Sequence, residues 1–484
     1  MKLIKFFRFT QILFLLLCFS MQAETRKITL GVKPGLHFEP KVLHVLPGEE
    51  VELTFDNSDM MMHNFVLVKP GMRMGIVEAA NALGEKGPEL HYVPVSDNVL
   101  ASTPVVMPKK KAKILFKAPL KEDKYPYVCT FPGHGFIMHG TLFVANEKPK
   151  DFGIKTNDKQ KVSVTVPEEL DAVLFSPNTV TPCVACLGVA PTGEVFAGVD
   201  QIGSLGKGGG KGRIVRLIDE DNDGVHDSYT IFAIIDNPRG ILPIGNKLYV
   251  LHTKWGTGAK FEGMFLSVLT DKDGDGVADG PPKHLVREIS TRKFNQDRGV
   301  DHTTNGIRMG IDGWIYVAVG DFGFVDAEGT DGTKLTMYGG GIIRVRPDGT
   351  ELETYASGLR NIYDVAIDPF MNLFTRGNTN DGGGWNMRFI HEIQTGEYGY
   401  PKLFKRYTSE IIPALVDVGG GSGTGAMFFE EPGWPERYND VPMMCDWGRG
   451  QLYLHRVTPD GPSFTQKEES FIKCGRITDV DCDG

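Results

Sequence analysis

The loop sequence Cys-Thr-Phe-Pro-Gly-His-Gly-Phe-Ile-Met, residues 129–138, decides how the first part of the chain is interpreted. It offers the thiol of Cys129, the imidazole of His134 and the thioether of Met138. A second imidazole, His63, lies far upstream in the sequence Met-His-Asn-Phe-Val-Leu. Two nitrogens, one thiolate and a weak axial sulfur form a copper site suited to electron transfer. We therefore predict that folding brings His63 to the loop and that these four side chains bind copper.

Three other interpretations compete with copper. Cys129 and Met138 suit ordinary core packing, since both residue types are often buried. A structural zinc site normally has more thiolates or histidines in close pairs, and no second cysteine lies near Cys129. A cysteine–histidine nucleophile pair is compatible with the composition. The Phe-Pro-Gly turn before His134 disfavours that pair, because it shapes the loop to close around an ion.

Both motifs resemble those of azurin and auracyanin, which are small cupredoxins with a type 1 copper. The resemblance covers about residues 28–145 and implies a Greek-key β-sandwich with the ligand loop at one end. It also implies three equatorial ligands and one axial ligand. These are His63, Cys129 and His134, with Met138 in the axial position.

The same resemblance implies several features around the metal. The carbonyl of Met62 would lie near the ion, and Asn64 would brace the ligand loop by hydrogen bonds. His134 would present its ring edge to solvent as the electron exit, within an apolar surface. Candidate members of that surface, which are equally compatible with the core, are Met60, Met61 and Phe136.

Composition limits the classes of function. The 484 residues give room for roughly two to four domains. Lys and Arg number 52 against 61 acidic residues, so the net charge is −9. This balance argues against nucleic-acid binding, which needs a basic surface. The 59 glycines punctuate short apolar runs, a pattern typical of short strands joined by tight turns. The chain is therefore predicted to be all-β.

The first residues predict export. Residues 1–23 combine a basic start, an apolar centre and a small residue, Ala23, before the cleavage point. This is the pattern of a signal peptide. No later run approaches about 20 consecutive apolar residues, so we expect no membrane span after cleavage. The expected location of the mature protein is the periplasm or, if secreted, the medium outside the cell.

Changes in pattern along the chain predict the domain boundaries. Alternating apolar residues predict a β-sandwich over residues 24–147, with a short helix between residues 70 and 100. The charged residues 148–161 predict a linker. Over residues 162–484, repeated units of apolar strand, glycine turn and apolar strand predict the blades of a propeller.

The number of blades leaves two ways to close the ring. Five copies of the repeat are complete, and a sixth begins at residues 475–480, where the sequence stops. We expect a six-bladed-type β-propeller that is incomplete at its C-terminus. The alternative is a five-bladed ring sealed by its own ends. The five copies are residues 187–197, 240–250, 306–317, 363–369 and 438–454.

Two acidic loops share the pattern Asp-x-Asp-x-Asp-Gly-x-x-Asp. Alternate carboxylates directed into one concavity, with a glycine at the sharp turn, are what a calcium loop needs. Neither loop ends in the glutamate of an EF-hand, because Thr230 and Pro282 stand there. Calcium-stabilised turns and plain solvated hairpins both stay open. The carboxylates are those of Asp219, Asp221, Asp223, Asp227, Asp271, Asp273, Asp275 and Asp279.

A second set of polar residues lies at the ends of predicted blade strands. His302 and Asp321 bracket one hairpin, and Arg360 with Asn361 opens the next blade. Removing a hydride from an alcohol needs a base for the hydroxyl proton, a carboxylate that orients the base and a cation for negative charge. On spacing alone, polar residues that tie loops together are the favoured interpretation.

The motifs around these residues resemble the soluble glucose/sorbosone dehydrogenases, six-bladed propellers that use pyrroloquinoline quinone (PQQ) and calcium. The resemblance implies that His302 is the base, that Asp321 lies beside it, and that Arg360 and Asn361 contact the quinone. The motifs are Asp-His-x-x-x-Gly-x-x-x-Gly-x-Asp-Gly-x-Ile-Tyr-x-x-x-Gly-Asp-x-Gly from residue 301, Gly-Leu-Arg-Asn from residue 358 and Gly-Glu-Tyr-Gly-Tyr-Pro from residue 396.

The resemblance implies further contacts with the cofactor. The carbonyls of Gly377 and Asn378 would face its calcium, although the family has proline where Asn378 stands. Arg476 matches the first of two arginines that hold the quinone carboxylates, whereas Thr478 replaces the second. Arg449 stands in for a nearby lysine.

The sequence thus predicts an exported blue-copper electron-transfer protein. Its copper would accept single electrons from a fused quinoprotein-like propeller that oxidises a sugar or an alcohol. A partner protein such as a c-type cytochrome would exchange electrons with it. The rival hypothesis is a non-catalytic propeller that binds a carbohydrate or a protein and docks the copper domain. A third hypothesis is copper storage or delivery by the methionine-rich edge.

Overall fold

The chain divides into two units, Met1–Phe152 and Gly153–Gly484, and each is described by itself. The predicted signal peptide, the predicted linker and Phe136 lie outside the described residues. The computed structural model describes residues 25–33, 36–135, 138–147, 164–220, 222–379, 386–403 and 406–482.

The strands of the first unit form two sheets. One sheet has the order β2-β1-β4-β7, and the other has the order β3-β9-β8-β5-β6. In chain order the strands are β1 Arg26–Lys33, β2 His37–Glu39, β3 Val42–Val45, β4 Glu50–Asn57, β5 Val66–Val68, β6 Val99–Ser102, β7 Lys110–Lys117, β8 Asp123–Val128 and β9 His139–Val144.

Alternation of apolar and polar residues gives both sheets a buried face. In β4, Val51, Leu53 and Phe55 are buried, while the residues between them are more exposed. This is the pattern of a strand with one face on a core and one face in solvent. Tyr127 of β8 and Leu142 of β9 belong to the same core cluster. Two sheets packed face to face form the predicted β-sandwich, which is confirmed.

The predicted short helix is also confirmed. Helix α1 spans Arg73–Asn81, and its buried residues are Ile76, Val77 and Ala80. Residues three and four positions apart share one helical face, so Ala80 forms an apolar stripe with Val77 and Ile76. Ile76 and Val77 pack in one cluster with residues of β5 and β8. The helix therefore covers the outside of the sheet next to the ligand loop.

The second unit is built from short antiparallel strands, with one further helix, α2 Arg292–Arg298. Its first strands are β10 Val184–Val189, β11 Val195–Asp200, β12 Gly212–Ile218, β13 Ser228–Ile234, β14 Asp236–Ile244, β15 Lys247–Gly256, β16 Lys260–Thr270, β17 Lys283–Arg287, β18 Thr304–Met309, β19 Ile315–Val319, β20 Phe324–Gly329 and β21 Lys334–Met337. The later strands are β22 Gly340–Val345, β23 Glu353–Leu359, β24 Ala366–Ile367, β25 Leu373–Asn378, β26 Met387–Glu392, β27 Gly396–Glu397, β28 Val416–Gly419, β29 Gly423–Phe429, β30 Val441–Asp446, β31 Gln451–Asp460 and β32 Ser463–Lys473.

These strands form five sheets that follow one another along the chain. First strands of successive sheets lie against each other, as β10 does with β14 and β14 with β18. Such an arrangement of four-stranded sheets is that of propeller blades, so the five predicted repeats are confirmed. The sheets are β10-β11-β12-β13, then β14-β15-β16-β17 extended by β20-β21, then β18-β19-β22-β23 extended by β27, then β24-β25-β26-β28, and finally β29-β30-β31-β32.

A segment near residue 478 connects the fifth sheet with the first. The amide of Gly425, in β29, donates to the carbonyl of Thr478 at 3.1 Å. The hydroxyl of Thr478 donates to the carbonyl of Val184, in β10, also at 3.1 Å. This segment is therefore hydrogen-bonded to both the fifth and the first sheet.

Residues 475–480, where we expect a sixth blade to begin, form no strand within the described part of the chain. The amide of Leu187 donates to the carboxylate of Asp479, and the amide of Val189 donates to that of Asp481, both at 2.9 Å. These carboxylates occupy the places that the carbonyls of a neighbouring strand would take. The edge of β10 is thus satisfied without a paired strand.

An arginine between the sheets balances these carboxylates. Arg308 of β18 lies 2.9 Å from Asp364 and 3.0 Å from Asp481, and 3.8 Å from Asp479. Burial raises the pKa of Asp364, and burial together with the charge of Asp364 raises the pKa of Asp479 to about 7. Three acidic groups around one cation link the first, third and fourth sheets.

Replacing Arg308 with methionine would leave these carboxylates without their cation. We expect Arg308→Met to lower the free energy of unfolding of the second unit by about 3–5 kcal/mol, the cost of breaking a buried ion pair. Chemical denaturation followed by tryptophan fluorescence measures this loss, because all five tryptophans of the chain lie in the second unit.

An exposed ion pair gives the matched control. Lys293→Met breaks the pair between Lys293 and Asp297, whose side chains are largely in solvent. This change should cost less than about 1 kcal/mol. Equal losses in the two variants would contradict the role assigned to Arg308.

Candidate functional site

The loop of residues 129–138 connects β8 with β9 and is closed by main-chain hydrogen bonds. The amide of Cys129 donates to the carbonyl of Met138 at 2.9 Å, and the amide of Met138 donates to that of His134 at 2.8 Å. A side chain at Gly135 would place its Cβ 2.5 Å from Val77 of α1. Glycine therefore lets the helix close over the loop.

Folding brings His63 to this loop, as predicted. His63 lies just before β5 and forms an antiparallel bridge with Val106. Its Nδ1 lies 3.8 Å from Sγ of Cys129 and 3.1 Å from Nδ1 of His134, and Sγ of Cys129 lies 3.7 Å from Nδ1 of His134. All three side chains are buried. Three donor atoms thus face one point in the interior.

These separations suit a single metal ion. An ion bonded at about 2.0–2.3 Å to two imidazoles and a thiolate keeps its donor atoms roughly 3–4 Å apart. Met138 is fully buried beside the other three residues and is joined by main-chain hydrogen bonds to two of them. Its main chain is thus part of the site, and the axial role of its sulfur stays a prediction. The donor set of two nitrogens and two sulfurs is one that copper favours.

The protein orients the ring of His63 through a second residue. Nε2 of His63 lies 2.9 Å from a carboxylate oxygen of Asp59. A proton on Nε2 leaves the lone pair of Nδ1 free to face the site, as second-shell carboxylates do in other metal centres. The hydrogen bond with His63 lowers the pKa of Asp59. Asp59 was not among the predicted site residues, because the sequence marks it only as an acid four residues before the histidine.

Asn64 braces the ligand loop, as the resemblance implied. Its amide Oδ1 accepts a hydrogen bond from the amide of Thr130 at 2.7 Å. Its Nδ2 donates to Oγ1 of Thr130 at 2.8 Å and to the carbonyl of His91 at 2.9 Å. These bonds fix the residue that directly follows Cys129 and so hold the sulfur at its distance from His63.

Burial sets the protonation of the site. It raises the pKa of the Cys129 thiol to about 11 and lowers the pKa of His134 to about 4. Without a cation the thiol therefore keeps its proton and the imidazole stays neutral near pH 7. A metal ion supplies the positive charge that makes the thiolate favourable, so metal binding must release a proton.

The residues proposed for the surface around the metal differ in their exposure to solvent. Met60 is 75% exposed and Met61 is 42% exposed, so they belong to the surface and not to the core. His134 is 8% exposed and is mostly covered. Phe136 is not among the described residues. A sandwich with a buried site of two histidines and one cysteine is the structure of a cupredoxin.

Comparison with known proteins shows the family. Residues 26–145 match the copper binding proteins of the plastocyanin/azurin family, and residues 189–475 match a family described as a domain of unknown function (DUF7133). The chain belongs to the first family through its first unit and to the second through its second unit.

Curated relatives match the first unit alone. Auracyanin-A of Chloroflexus aurantiacus is 35% identical over 120 residues, which are 24% of this chain and 73% of that protein. Azurin of Pseudomonas aeruginosa is 35% identical over 126 residues, 25% of this chain and 77% of that protein. Azurin iso-2 of Methylomonas sp. is 34% identical over 85 residues, 17% of this chain and 64% of that protein.

One solved structure overlaps the second unit. The PQQ-bound aldose sugar dehydrogenase of Streptomyces coelicolor is 18% identical, with a TM-score of 0.47, and the match covers 67% of this chain and 90% of that one. What the second unit does is therefore argued from its own residues. As for membranes, no helix among the described residues has the length and apolar character needed to span a bilayer.

The structure assembles part of the predicted second site. Nδ1 of His302 hydrogen-bonds a carboxylate oxygen of Asp321, and Nε of Arg360 lies 3.9 Å from the other oxygen. Asn361 donates to the carbonyl of Asp301 at 3.4 Å and pairs through its backbone with Asn378. A histidine, a carboxylate, a guanidinium and two amides thus lie in one cluster at the ends of blade strands.

Two buried oxygens of this cluster have no hydrogen-bond partner among the described residues, namely Oδ1 of Asp301 and Oδ1 of Asn361. Such atoms are rare in folded proteins and need an explanation, of which an absent ligand is one. The ring of His302 also stacks on Phe322, with a separation of 5.6 Å between the ring centres. The cluster thus combines polar groups with an aromatic wall.

The other predicted cofactor contacts have different partners. Arg449 donates to the carbonyl of Gly420 at 2.5 Å and also to that of Val418. Arg476 lies over the ring of Trp447 at 4.6 Å. Gly377 lies within β25 and pairs with Arg388 of β26. No contact among the described residues joins these three to His302.

The acidic loops fold as tight turns. In the second loop, Asp271, Asp273 and Asp275 place carboxylate oxygens within 4.8 Å of one another. Asp271 accepts hydrogen bonds from the amides of Gly274 and Gly276 at 2.7 and 2.9 Å, and burial raises its pKa. Backbone amides thus already satisfy this carboxylate, as in a solvated hairpin, and calcium stays a prediction.

The first acidic loop has the same construction. Asp219 accepts hydrogen bonds from the amides of Asp223 and Gly224 at 3.2 and 2.8 Å. Asp227 accepts one from the amide of Glu220 at 2.7 Å. Asp221 lies outside the described residues. The corresponding Asp279 of the second loop accepts from the amide of Lys272 at 2.5 Å.

The contact between Asp59 and His63 gives a test of the metal centre. We expect Asp59→Asn to weaken copper binding by about 10–100-fold, because it removes the carboxylate that orients the imidazole. Competition with a copper chelator measures the affinity, and the absorption spectrum shows whether the coloured centre persists.

The control is Asp56→Asn, which removes a partly exposed carboxylate of β4, three residues before Asp59. This carboxylate pairs with Lys111 and not with a candidate metal ligand. Copper affinity in this variant should equal that of the unchanged protein. If Asp59→Asn binds copper as tightly as the control, the orienting role of Asp59 is wrong.

Proposed function

We propose that the protein is an exported electron-transfer protein whose first unit carries single electrons on a type 1 copper. The observation that carries the proposal is the buried convergence of His63, Cys129 and His134, with Nδ1 and Sγ atoms 3.1–3.8 Å apart. These residues would hold copper together with Met138. Bound there, copper supplies a couple that gains and loses one electron at a time.

The chain contributes a rigid frame to this chemistry. The hydrogen bonds between Asn64 and Thr130 and the main-chain bonds of the loop fix the donor atoms before the metal enters. Preorganised groups need little rearrangement when charge changes. Met60 and Met61 present an apolar surface close to His63. A partner protein such as a c-type cytochrome would dock at such a surface to exchange electrons.

The second unit is proposed to act on a sugar or an alcohol. His302 would accept the hydroxyl proton at Nε2, because its Nδ1 is hydrogen-bonded to Asp321. Arg360, close to that carboxylate, would stabilise developing negative charge. Oxidation of an alcohol releases two electrons and a proton, so a two-electron acceptor would have to hold the electrons first. Copper on the same chain would then take them from that acceptor one at a time, at a high effective concentration.

The residues fit PQQ only in part. His302, Asp321, Arg360 and Asn361 lie together, as such a site requires. Arg449 is bound to backbone carbonyls, Arg476 lies on Trp447, and the hydroxyl of Thr478 donates to Val184. The groups that would hold the quinone carboxylates are therefore engaged elsewhere, and no reaction step is assigned to a quinone.

That incomplete fit favours a second candidate function. The propeller would then be a binding module for a carbohydrate, using the same cluster and its unsatisfied oxygens of Asp301 and Asn361. In this case the copper domain carries electrons that come from another protein. The two candidates differ in whether the substrate itself reduces the copper.

Reduction by substrate distinguishes them. Copper-loaded protein, incubated with PQQ and calcium, is mixed with a panel of sugars and alcohols while the blue absorption is followed. We expect bleaching in the unchanged protein and a rate about 10²–10⁴-fold lower in His302→Ala, because a general base is lost. The control is His284→Ala, which changes a histidine of β17 outside the cluster.

A sugar that binds in calorimetry without bleaching the copper would support the binding module. Absence of both binding and bleaching would contradict each role for the His302 cluster. In either case, a chemical reductant should still bleach the copper reversibly and without metal loss. Loss of the metal on reduction would contradict the electron-carrier role of the first unit.

A further inference from the structure

Three exposed methionines lie on two adjacent segments of the chain, one that contains His63 and one that contains its bridge partner Val106. Met60 is 75% exposed, Met61 is 42% exposed and Met107 is 55% exposed. Large apolar side chains are costly to leave in water when they gather in one place. Electron transfer through His134 does not account for Met107, which follows the bridge partner of His63. These residues therefore need a separate explanation.

Hydrogen bonds hold the two segments side by side. His63 and Val106 exchange main-chain hydrogen bonds of 3.2 and 2.7 Å. The side-chain amide of Asn57, which is buried, donates to the carbonyl of Met61 at 2.7 Å and to that of Val106 at 2.8 Å. The side chain of Asn57 thus holds the main chain of Met61 next to that of Val106, which directly precedes Met107.

The register of this bridge places thioethers next to each other. In an antiparallel pair the residues on either side of a bridge also face each other, with Cβ atoms about 4.5–5.5 Å apart. Because His63 pairs with Val106, Met62 comes opposite Met107. Met60 and Met61 directly precede Met62, and the carbonyl of Met61 shares the Asn57 amide with that of Val106. The exposed residues Met60, Met61 and Met107, here called the methionine trio, therefore lie on two adjacent segments next to a buried ligand.

The chemistry of the trio is specific. Thioethers are neutral, soft donors that select Cu(I) over harder ions. The nearby carboxylate of Asp59 is already hydrogen-bonded to His63 and to the amide of Met60. The donor atoms of the buried site are covered, so an ion must pass a surface residue before it reaches them.

We propose that the methionine trio is an entry site that binds Cu(I) and passes it to His63, Cys129 and His134. Copper stays Cu(I) throughout, one set of ligands replaces another, and the proton of the Cys129 thiol goes to solvent. This function concerns loading of the metal and is separate from electron transfer. It predicts that Cu(I), and not Cu(II), enters through the trio.

Loading kinetics of the full chain test the proposal. Metal-free protein is mixed with Cu(I) held by a coloured, weakly binding chelator, and loss of the chelator colour gives the loading rate. The variant Met60→Leu/Met61→Leu/Met107→Leu keeps the apolar volume and removes the sulfur. We expect it to load Cu(I) about tenfold more slowly, the lower end of the loss when groups that support a metal site are removed.

Two controls make the result specific. Met72→Leu changes an exposed methionine outside the trio and should load Cu(I) at the normal rate. Loading with Cu(II) should proceed at the same rate in all three proteins, and the final blue absorption should be equal, which shows that the variants fold.

Two outcomes would overturn the proposal. An unchanged Cu(I) rate in the triple variant would mean that the methionines act only as apolar surface. Equal slowing of Cu(I) and Cu(II) would mean that the substitutions obstruct the path regardless of sulfur. Neither outcome bears on the electron-carrier proposal, because both are read before any electron transfer takes place.

Discussion

The hydrogen bonds that tie Asn64 to Thr130 are the constraint on which the metal centre depends. They join the segment of His63 to the loop of Cys129, two parts of the chain separated by more than sixty positions in sequence. The loop itself is closed by its own main-chain bonds. As a result, an imidazole from one segment and a thiol from another are held 3.8 Å apart by the protein's own hydrogen bonds. Such preorganisation suits a centre that must change charge with little movement.

Burial explains the protonation of the site. Burial alone would keep the Cys129 thiol protonated at neutral pH, since its pKa is raised to about 11. A thiolate is therefore stable there only beside a cation. The carboxylate of Asp59, which bonds the far side of the His63 ring, directs the lone pair of the ring inward. Asp59 and the metal thus act from opposite sides of one imidazole.

In the second unit, side-chain carboxylates accept hydrogen bonds that a neighbouring strand would otherwise accept. Asp479 and Asp481 accept hydrogen bonds from the edge of β10, and Arg308 balances their charge. A cluster of charge buried between sheets is stable only while every member is paired. The cluster of His302, Asp321 and Arg360 lies at strand ends instead. One set of ionic groups therefore joins the sheets, and the other is the candidate site of the second unit.

The parts of the structure that local chemistry determines could be predicted from the sequence. The four candidate ligands could be named because few residue types bind copper, and strand alternation in β4 predicted the sandwich. Asp59 could not be named, because an acid four residues from a histidine means nothing until the turn between them is known. The contacts of Asp479 and Asp481 with the edge of β10 could not be predicted for a related reason, since they join positions almost 300 residues apart in the sequence.

The predicted roles of Arg449 and Arg476 illustrate the same limit. A guanidinium is placed by whichever acceptors the fold brings near it, and for Arg449 these are carbonyls of a loop about thirty residues earlier. A motif match identifies the arginine, but it does not reveal the backbone carbonyls that bind the guanidinium in place of a cofactor. The first unit was more predictable because three of its four candidate ligands share one loop.

We expect one copper ion to be bound by two imidazoles and one thiolate in the first unit. X-ray absorption at the copper edge of the loaded full chain tests this directly. We predict one sulfur and two nitrogen neighbours at bonding distance, with loss of the sulfur in Cys129→Ser. A copper ion surrounded by nitrogen and oxygen alone in the unchanged protein would contradict it.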